Sequence, residues 1–498
     1  MSLKSYFSKY IADFVINKQN KWNYKANEIQ ENILKNLVYK SQKTLFGKHH
    51  NFNSIKNYED FKKNVPIRNY EEYRTYLNKV IKNEKNILWP GKPIYFAKTS
   101  GTTSGTKYIP ITKDSISNHI YSANLMLLNY IKEMRSGEIL NGQYIFLSGS
   151  PELNKIGEIY SGRLSGIVNH HIPFWIKKNY LPKFSTNCIA EWEKKIEKIV
   201  EETYKKNITI IGGIPPWIQM YFDLLIKKTG KKIKDIFPNF KLLCHGGVNF
   251  KPYKSKILDS IGKKIDTLET YPASEGFFAF QNSIKDESLL LLINSGIYYE
   301  FIPLSEYFKK KRSRIALKDV KLNMNYAIII NSNAGLWGYS IGDTIKFKSI
   351  NPYKIIVTGR VKHFLSAFGE HVISDEIDTA ISNTCNNFSD VKITELTVAP
   401  LINSNNSLSF HEWFIEFSNE PSNIRDFEIY LDNQLRKLNP YYDDLISGKI
   451  LSRLKIKKLK KNAFIEYMKS IHKLGGQNKV PRLSNDRKLV NKLIKYII

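Results

Sequence analysis

A run of glycines and hydroxyl-bearing residues between two apolar segments is the stretch of this chain best suited to bind phosphate. The run comprises Ser100, Gly101, Thr102, Thr103, Ser104 and Gly105. It lies between residues 93–97 and 108–112, whose composition is typical of β-strands. Glycine lets backbone amides crowd together and the hydroxyls add donors, which forms a concave surface for phosphate oxygens. The alternative is an ordinary flexible surface loop.

This loop is not a Walker A phosphate loop. A Walker A loop ends in Gly-Lys-Ser/Thr and opens directly into a helix. Here Gly105 is followed by Thr106 and then by a strand-like segment, and the next helix is predicted only after Thr112, over residues 113–132. A kinase-like or GTPase-like site is therefore excluded.

Two further candidates could bind the rest of a nucleotide. Tyr271, Ser274 and Glu275 follow a predicted buried strand, where an aromatic ring can stack on a purine and a carboxylate can hold magnesium against phosphates. Asp343 follows Gly342 in a predicted tight turn, where its carboxylate can accept hydrogen bonds from both ribose hydroxyls. For both strings, plain turn residues are the alternative.

Two basic residues near the end of the chain are candidates for contacts with phosphate. Arg360 follows Gly359, and Lys479 lies in a loop that begins with Gly475 and Gly476. A lysine on such a loop can swing in and neutralise charge at an α-phosphate. A surface ion pair for Arg360 and a structural role for Lys479 are the alternatives.

The elements that position these residues predict an α/β protein with a second, smaller domain. From residue 144 strands alternate with helices, and several strands end in glycines, which is typical of a parallel sheet with its ligands at the carboxyl ends of the strands. Residues 289–358 contain several short strands, which predict a small antiparallel or barrel-like layer. After Gly359 a mixed pattern predicts a compact α+β domain. We expect a large domain over residues 1–359 and a small one over 360–498.

Composition bounds the class of protein. Hydrophobic residues make up 42% and charged residues 24%, as in a soluble globular protein. The three cysteines have no disulfide or zinc spacing, so a reducing cytoplasm is the predicted location. No stretch has the roughly 18 continuous apolar residues of a membrane span. Residues 1–22 have the pattern of an amphipathic surface helix.

The formal net charge of +30 is compatible with two interpretations. Such a charge can attract nucleic acid or an anionic membrane. The alternative is codon bias, because the chain is rich in Lys, Asn, Ile and Tyr and its lysines are spread along the whole length. We favour codon bias over a nucleic-acid surface, since no recognisable nucleic-acid-binding motif accompanies the charge.

The motifs together resemble one enzyme family. The loop at 100–105 resembles the phosphate loop of acyl-adenylate-forming enzymes, most closely that of the auxin-responsive acyl acid amido synthetases. The string 269–276 is similar to their adenine and magnesium motif, and 335–343 to their ribose motif, with Ser340 where that motif has arginine. Residues 358–377 resemble their hinge motif, and 475–482 their closing Gln-x-Lys-x-Pro-Arg signature.

The resemblance implies the role of each candidate. ATP would be bound by Ser100, Gly101, Thr102, Thr103, Ser104, Tyr271, Ser274, Asp343 and Arg360. Glu275 would hold Mg²⁺, Thr103 and Lys479 would be catalytic, and Lys362 would be the pivot of a mobile C-terminal domain.

The implied reaction has two steps. ATP and a carboxylic acid form an acyl-adenylate and pyrophosphate, and an amine, typically that of an amino acid, then displaces AMP. An AMP-forming acyl-CoA ligase is the nearest alternative, and a basic nucleic-acid-binding protein is a more distant one. Monomer and dimer are both compatible with the sequence.

Overall fold

The computed structural model describes residues 3–100, 106–172, 174–309, 311–361, 364–365, 370, 372–402, 408–448, 450–474, 479–484 and 487–498. The chain divides into two compact units, Met1–Gly247 with Lys264–Ile356 and Val248–Lys263 with Val357–Ile498. These units differ from the division expected at 359/360, because residues 248–263 pack with the C-terminal unit.

The first unit begins with helices, alternates strands and helices in its middle part, and ends with a run of strands. Its helices are α1 (Leu3–Asn23), α2 (Ala26–Ser41), α3 (Leu45–His49), α4 (Tyr58–Asn64), α5 (Tyr70–Ile81), α6 (Lys113–Met134), α7 (Leu164–His170), α8 (Phe174–Lys177), α9 (Phe184–Asn187), α10 (Trp192–Thr203), α11 (Pro215–Thr229) and α12 (Ile233–Ile236). Its strands are β1 (Tyr95–Ser100), β2 (Thr106–Ile111), β3 (Gln143–Phe146), β4 (Asn154–Ile156), β5 (Ile159–Gly162), β6 (Tyr180–Leu181), β7 (Ile208–Gly213), β8 (Leu242–Gly246), β9 (Asp266–Ala273), β10 (Gly276–Ser283), β11 (Asp286–Leu291), β12 (Ile297–Pro303), β13 (Ile315–Ala316), β14 (Asn325–Ser332), β15 (Tyr339–Ile350) and β16 (Tyr353–Arg360), the last of which continues into the second unit.

Parallel strands form one half of the main sheet. The order among the described strands is β13-β12-β14-β15-β16-β11-β10-β9-β8-β7-β3-β6. Strands β6, β3, β7, β8 and β9 pair with one another in parallel, as expected for apolar strands joined by helical crossovers. The predicted α/β fold with a parallel sheet is confirmed.

The antiparallel strands form the other half of the same sheet. A hairpin joins β9 to β10, and β10 pairs with β11, which pairs with β16. The expected β-rich layer is therefore present, and it continues the parallel sheet instead of standing apart. The strand β10, which sequence reasoning missed, makes this continuity possible because it supplies backbone partners to β9.

The candidate phosphate loop belongs to a smaller sheet of order β2-β1-β5-β4. Strands β1 and β2 form an antiparallel hairpin in which Ser100 lies opposite Thr106. Phe96 and Ile109 on these strands are fully buried, which anchors the base of the hairpin in the protein. The two strands predicted around the loop are thus present.

A buried aromatic cluster holds the segment that leads into β15. Trp337 packs against Phe46, Phe52 and Trp89 from the N-terminal helices and the loop that follows them. Its backbone amide donates to the Tyr73 hydroxyl at 2.7 Å, and its indole nitrogen donates to the Leu88 carbonyl at 3.0 Å. The start of β15 therefore has a defined position.

The second unit is an α+β layer. Its helices are α13 (Lys251–Ile261), α14 (Ser374–Asn387), α15 (Ile424–Leu438), α16 (Pro440–Ser447), α17 (Ala463–Ser470) and α18 (Lys488–Leu493). Its further strands are β17 (Phe364–Leu365), β18 (Val372–Ile373), β19 (Lys392–Leu401), β20 (Phe410–Asn419) and β21 (Lys455–Leu459). Among described residues β19, β20 and β21 form one sheet, in which lysine-rich β21 lies at the edge. The apolar faces of β19 and β20 pack on α14 and α15.

None of the helices in the described part of the chain combines the length and apolar character that crossing a membrane requires.

His119, on the buried face of α6, predicts how stability depends on pH. Burial lowers the pKa of His119 to about 4, below the 6.5 expected in the unfolded chain. The folded state then binds fewer protons than the unfolded one, so this contribution to stability is present above pH 6.5 and is lost as the pH falls toward 4. Between pH 6.5 and pH 4, we expect the unfolding free energy of His119→Gln to fall less than that of the wild type, by up to about 3 kcal/mol.

The measurement is urea unfolding of both proteins at several pH values across that window. His472→Gln, at an exposed position, is the matched control and should leave the pH dependence of the wild type unchanged. Parallel curves for the wild type and His119→Gln would contradict the assignment.

Candidate active site

The hairpin of β1 and β2, which carries the candidate phosphate loop, is called the phosphate hairpin below. Its tip lies outside the described residues. Gly101, Thr102, Thr103 and Ser104 are all in that tip, so their predicted roles stay predictions. Ser100 is the last residue of β1. What the structure describes is the pair of strands that carries the tip.

Tyr271 and Asp343 meet in the first unit. The Tyr271 hydroxyl donates a hydrogen bond to the Asp343 carboxylate at 2.8 Å, and both residues are only 8% exposed. They lie on β9 and β15, which are separated by three other strands in the sheet order. Two residues that were chosen separately from the sequence are therefore brought into direct contact.

Asp343 occupies an irregular part of β15, and not the tight turn expected from the sequence. Ala327 pairs with Thr344, but Ile329 pairs with Ser340, so one residue of β14 stands opposite three of β15. Such a bulge redirects side chains at functional sites. Gly342 has φ +84°, a conformation that other residues rarely adopt, and this explains a glycine before the aspartate.

Glu275 lies next to Tyr339. Ser274 and Glu275 form the two-residue turn between β9 and β10, both partly exposed. Tyr271 itself lies within β9, before the end of the strand. Burial raises the pKa of the Tyr339 hydroxyl well above its ordinary value, and the Glu275 carboxylate, its hydrogen-bond partner, raises that pKa further. Tyr339 therefore stays protonated and can orient the carboxylate.

Tyr70 connects the phosphate hairpin with this region. Its hydroxyl accepts a hydrogen bond from the Tyr108 amide of β2 at 2.8 Å. Tyr70 also interacts electrostatically with Tyr339, the partner of Glu275. The base of the hairpin and the carboxylate turn are therefore neighbours, as a shared nucleotide site requires.

Ser340 stands where the family's ribose motif has arginine. Its side chain is 8% exposed, and its hydroxyl shares a hydrogen bond with the Tyr307 hydroxyl at 2.8 Å. The backbone amide of Ser340 donates to the Arg68 carbonyl at 2.8 Å. A neutral hydrogen-bonded pair thus occupies this place in the strand.

Glu275 is the carboxylate of the candidate site that the sequence singles out for magnesium. No group of three or more His, Cys, Asp or Glu side chains with metal-binding geometry occurs among the residues the structure describes. Magnesium commonly takes one or two protein carboxylates and completes its shell with water and substrate phosphates. The partly exposed Glu275 fits that donor set, because it would share the ion with ATP.

In the second unit, Arg360 is the exposed last residue of β16. The preceding Gly359 has φ +146°, and a Cβ there would lie 3.3 Å from Ser374, so the glycine is required locally. Lys362, the expected pivot, lies outside the described residues.

Lys479 is exposed and lies three residues before Arg482, whose side chain is 12% exposed. The Arg482 Nε atom is 2.7 Å from Asp378 Oδ1, and its Nη1 atom is 2.7 Å from Glu395 Oε1. The Tyr253 hydroxyl donates to the other oxygen of Glu395 at 2.7 Å. Four elements that are far apart in the sequence converge on this ion network.

The network fixes the segment after Lys479 against β19. The Arg482 carbonyl accepts from the Val398 amide at 2.9 Å, and the Pro481 carbonyl accepts from the Thr397 hydroxyl at 2.7 Å. Burial opposes the guanidinium charge, but the two carboxylates together hold the pKa of Arg482 above its ordinary value. The Pro-Arg pair of the closing signature therefore has a structural role.

Sequence reasoning missed several of these partners. Tyr70 and Tyr253 were not selected because isolated tyrosines carry no motif, and Tyr339 was part of the ribose-like string 335–343 but was given no role of its own. Asp378 and Glu395 were missed because their partner, Arg482, is about a hundred residues away in the chain. The one available signal was the Pro-Arg pair at the end of the string 475–482.

The fold of this chain is similar to the folds of solved enzyme structures. A GH3.15 acyl acid amido synthetase superposes with a TM-score of 0.80, at 16% identity, over 97% of this chain and 96% of its own. A 2-hydroxyisobutyryl-CoA ligase in the postadenylation state superposes with a TM-score of 0.60, at 13% identity, over 95% and 92%. The fold is therefore that of the adenylate-forming enzymes, as the sequence resemblance implied.

The family is defined by sequence patterns over most of the chain. The GH3 family N-terminal domain matches residues 15–153 and 150–265, the central domain 290–360 and the C-terminal domain 375–488. The chain belongs to the GH3 family, and the predicted resemblance is confirmed.

Named relatives are plant enzymes. The jasmonoyl–L-amino acid synthetase JAR4 of Nicotiana attenuata is 21% identical over 397 residues, which cover 66% of this chain and 67% of the relative. The indole-3-acetic acid-amido synthetase GH3.15 of Arabidopsis thaliana is 21% identical over 431 residues, which cover 72% of each.

The Arg482 network predicts a large effect on stability. Arg482→Met would leave the buried carboxylates of Asp378 and Glu395 without their cation, so we expect a loss of about 3–5 kcal/mol in unfolding free energy. The measurement is urea unfolding, with hydrogen exchange at the Val398 amide as the local probe. Arg425→Met, at an exposed arginine of α15, is the control. Equal losses from both substitutions would contradict the role of the network.

Proposed function

We propose that this chain is an ATP-dependent acyl acid amido synthetase. It joins the carboxyl group of a small organic acid to an amine, in particular that of an amino acid, with AMP and pyrophosphate as the other products. The observation that carries the proposal is the grouping of Tyr271, Asp343 and Glu275 beside the base of the phosphate hairpin in a chain of the GH3 family.

The first step needs fixed positive charge and oriented donors more than it needs an acid or a base. A carboxylate attacks the anionic α-phosphate of ATP, a P–O bond to pyrophosphate breaks, and an acyl–phosphate bond forms. In this proposal Ser100, Gly101, Thr102, Thr103 and Ser104 bind the phosphates through amides and hydroxyls.

The nucleoside would be held by the first unit's own side chains. Tyr271 would stack on the adenine, and Ser274 would contact it from the adjoining turn. Asp343 would accept the ribose hydroxyls while it keeps its hydrogen bond from Tyr271. That hydrogen bond orients the carboxylate before the nucleotide arrives, which reduces the entropy lost on binding.

Glu275 is the proposed magnesium ligand. The hydrogen bond from Tyr339 would orient the Glu275 carboxylate for a cation. A bound Mg²⁺ would neutralise phosphate charge. Arg360 and Lys479 are proposed, from the family resemblance, to contact the nucleotide and to act in the adenylation step respectively.

In the second step the nitrogen of a neutral amine attacks the acyl carbon. A C–N bond forms, the bond between the acyl carbon and the AMP oxygen breaks, and the amine loses a proton. The nearest alternative, an acyl-CoA ligase, shares the first step and the fold, and differs in the acceptor. Release of AMP that depends on an amino acid, and not on CoA, distinguishes the two.

The substrates can be found by a two-stage assay. Pyrophosphate exchange is measured with a panel of acids that starts from those in the relatives' names, jasmonic acid, indole-3-acetic acid and substituted benzoates. The best acid is then combined with a panel of amino acids, and the amide is identified by mass spectrometry. A chain that exchanges pyrophosphate with none of a broad set of acids would contradict the proposal.

Asp343→Asn and Glu275→Gln test the nucleotide site. Each replacement keeps the shape of the side chain and removes its charge, so we expect pyrophosphate exchange to fall by at least about a hundredfold with little change in unfolding free energy. Glu287→Gln, at an exposed position of β11, is the control and should retain full activity. Full activity in either test variant would remove that residue from the site.

A further inference from the structure

Helix α1 presents a stripe of large apolar and aromatic side chains to solvent. The exposed fractions are 44% for Tyr6, 57% for Phe7, 58% for Tyr10, 55% for Ile11 and 74% for Phe14. At helical spacing these residues form one continuous surface over three turns. A contiguous exposed stripe of this kind marks an interaction surface far more often than isolated exposed residues do.

The opposite face of α1 is buried although it is small and partly polar. Its members are Ser5, Ser8, Ala12, Ile16 and Gln19. Ala12 and Ile16 pack in the cluster that includes Leu125 and Met126 of α6, and the Asn129 amide donates to Gln19 at 3.2 Å. These contacts fix the rotation of α1 about its axis. Its aromatic side chains therefore face the solvent.

Lysines border the stripe. Lys9 Nζ lies 5.3 Å from the centre of the Tyr6 ring, and α1 also carries the exposed lysines Lys4, Lys18 and Lys21. Asp13 is the one acidic residue of α1. The helix therefore combines an apolar surface with a local excess of positive charge.

We propose that α1 docks this protein on an anionic lipid bilayer. The helix would lie flat in the headgroup region, with Phe7, Ile11 and Phe14 reaching the acyl chains and the lysines contacting lipid phosphates. Tyr6 and Tyr10 suit this depth because a tyrosine has an apolar ring and a polar tip.

Charge argues against a second copy of this chain as the occupant. Each copy has a formal net charge of +30, and pairing two α1 helices would bring their lysines together. An anionic membrane has the complementary charge. This inference goes beyond the proposed function, because α1 contains none of the residues assigned to ATP or to either reaction step.

The test is cosedimentation of the full chain with lipid vesicles. We expect binding to phosphatidylcholine vesicles that contain phosphatidylglycerol, weak binding to phosphatidylcholine alone, and a decrease with added salt. The double variant Phe7→Ser/Phe14→Ser should lower the partition coefficient by on the order of tenfold or more. Phe308→Ser, at a phenylalanine 65% exposed outside α1, should bind like the wild type.

A second pair of variants separates local charge from net charge. Replacing Lys4, Lys9, Lys18 and Lys21 by glutamine should weaken binding to anionic vesicles several-fold. Replacing the exposed lysines Lys227, Lys231, Lys232 and Lys234 by glutamine removes the same total charge and should have much less effect. Equal effects from the two sets would overturn the proposal in favour of unspecific attraction.

Two other results would also overturn it. One is an absence of binding to anionic vesicles. The other is a wild-type dimer in light scattering that Phe7→Ser/Phe14→Ser converts to a monomer, which would make the stripe an interface between copies. Circular dichroism and thermal unfolding confirm that each variant is folded.

Discussion

The hydrogen bond between Tyr271 and Asp343 is the contact on which the organisation of the candidate site depends. Their strands are four positions apart in the sheet, a separation of about 19 Å if the sheet were flat. A distance of 2.8 Å between the two side chains requires the sheet to curve strongly between β9 and β15. The curvature brings side chains from non-adjacent strands of the sheet into contact.

Local irregularities in two strands complete this arrangement. The bulge in β15 directs Asp343 toward Tyr271, and the two-residue turn between β9 and β10 places Glu275 beside Tyr339. Both features interrupt regular pairing at positions where a side chain is needed. The hydrogen-bonded strands around them supply the frame that keeps the separation of these groups constant.

In the second unit, ion pairs hold a segment of the candidate site in place. The largely buried Arg482 lies within ion-pair distance of two carboxylates, from α14 and β19, and a tyrosine of α13 donates to the second of them. A buried ion network tolerates little displacement, because any partner left alone pays the full cost of desolvation. The segment that follows Lys479 is therefore held firmly, while the lysine itself is exposed.

Most of the architecture could be predicted from the sequence because it depends on local patterns. Alternating strands and helices predicted the parallel sheet, and the motif order predicted the GH3 family. Tyr271, Glu275 and Asp343 were selected for their residue types and spacing. Such features depend on neighbours within a few residues, so the sequence alone determined them.

The tertiary structure decided which residues are partners. The Tyr271–Asp343 contact, the Tyr339–Glu275 pair and the Arg482 network join residues that are between 64 and 104 positions apart or lie on non-adjacent strands. The outward orientation of the aromatic face of α1 is a further case, because the helical pattern predicted a surface helix without saying which face would be buried. Contacts of this kind depend on sheet curvature and on packing between distant segments, which no local pattern of residues encodes.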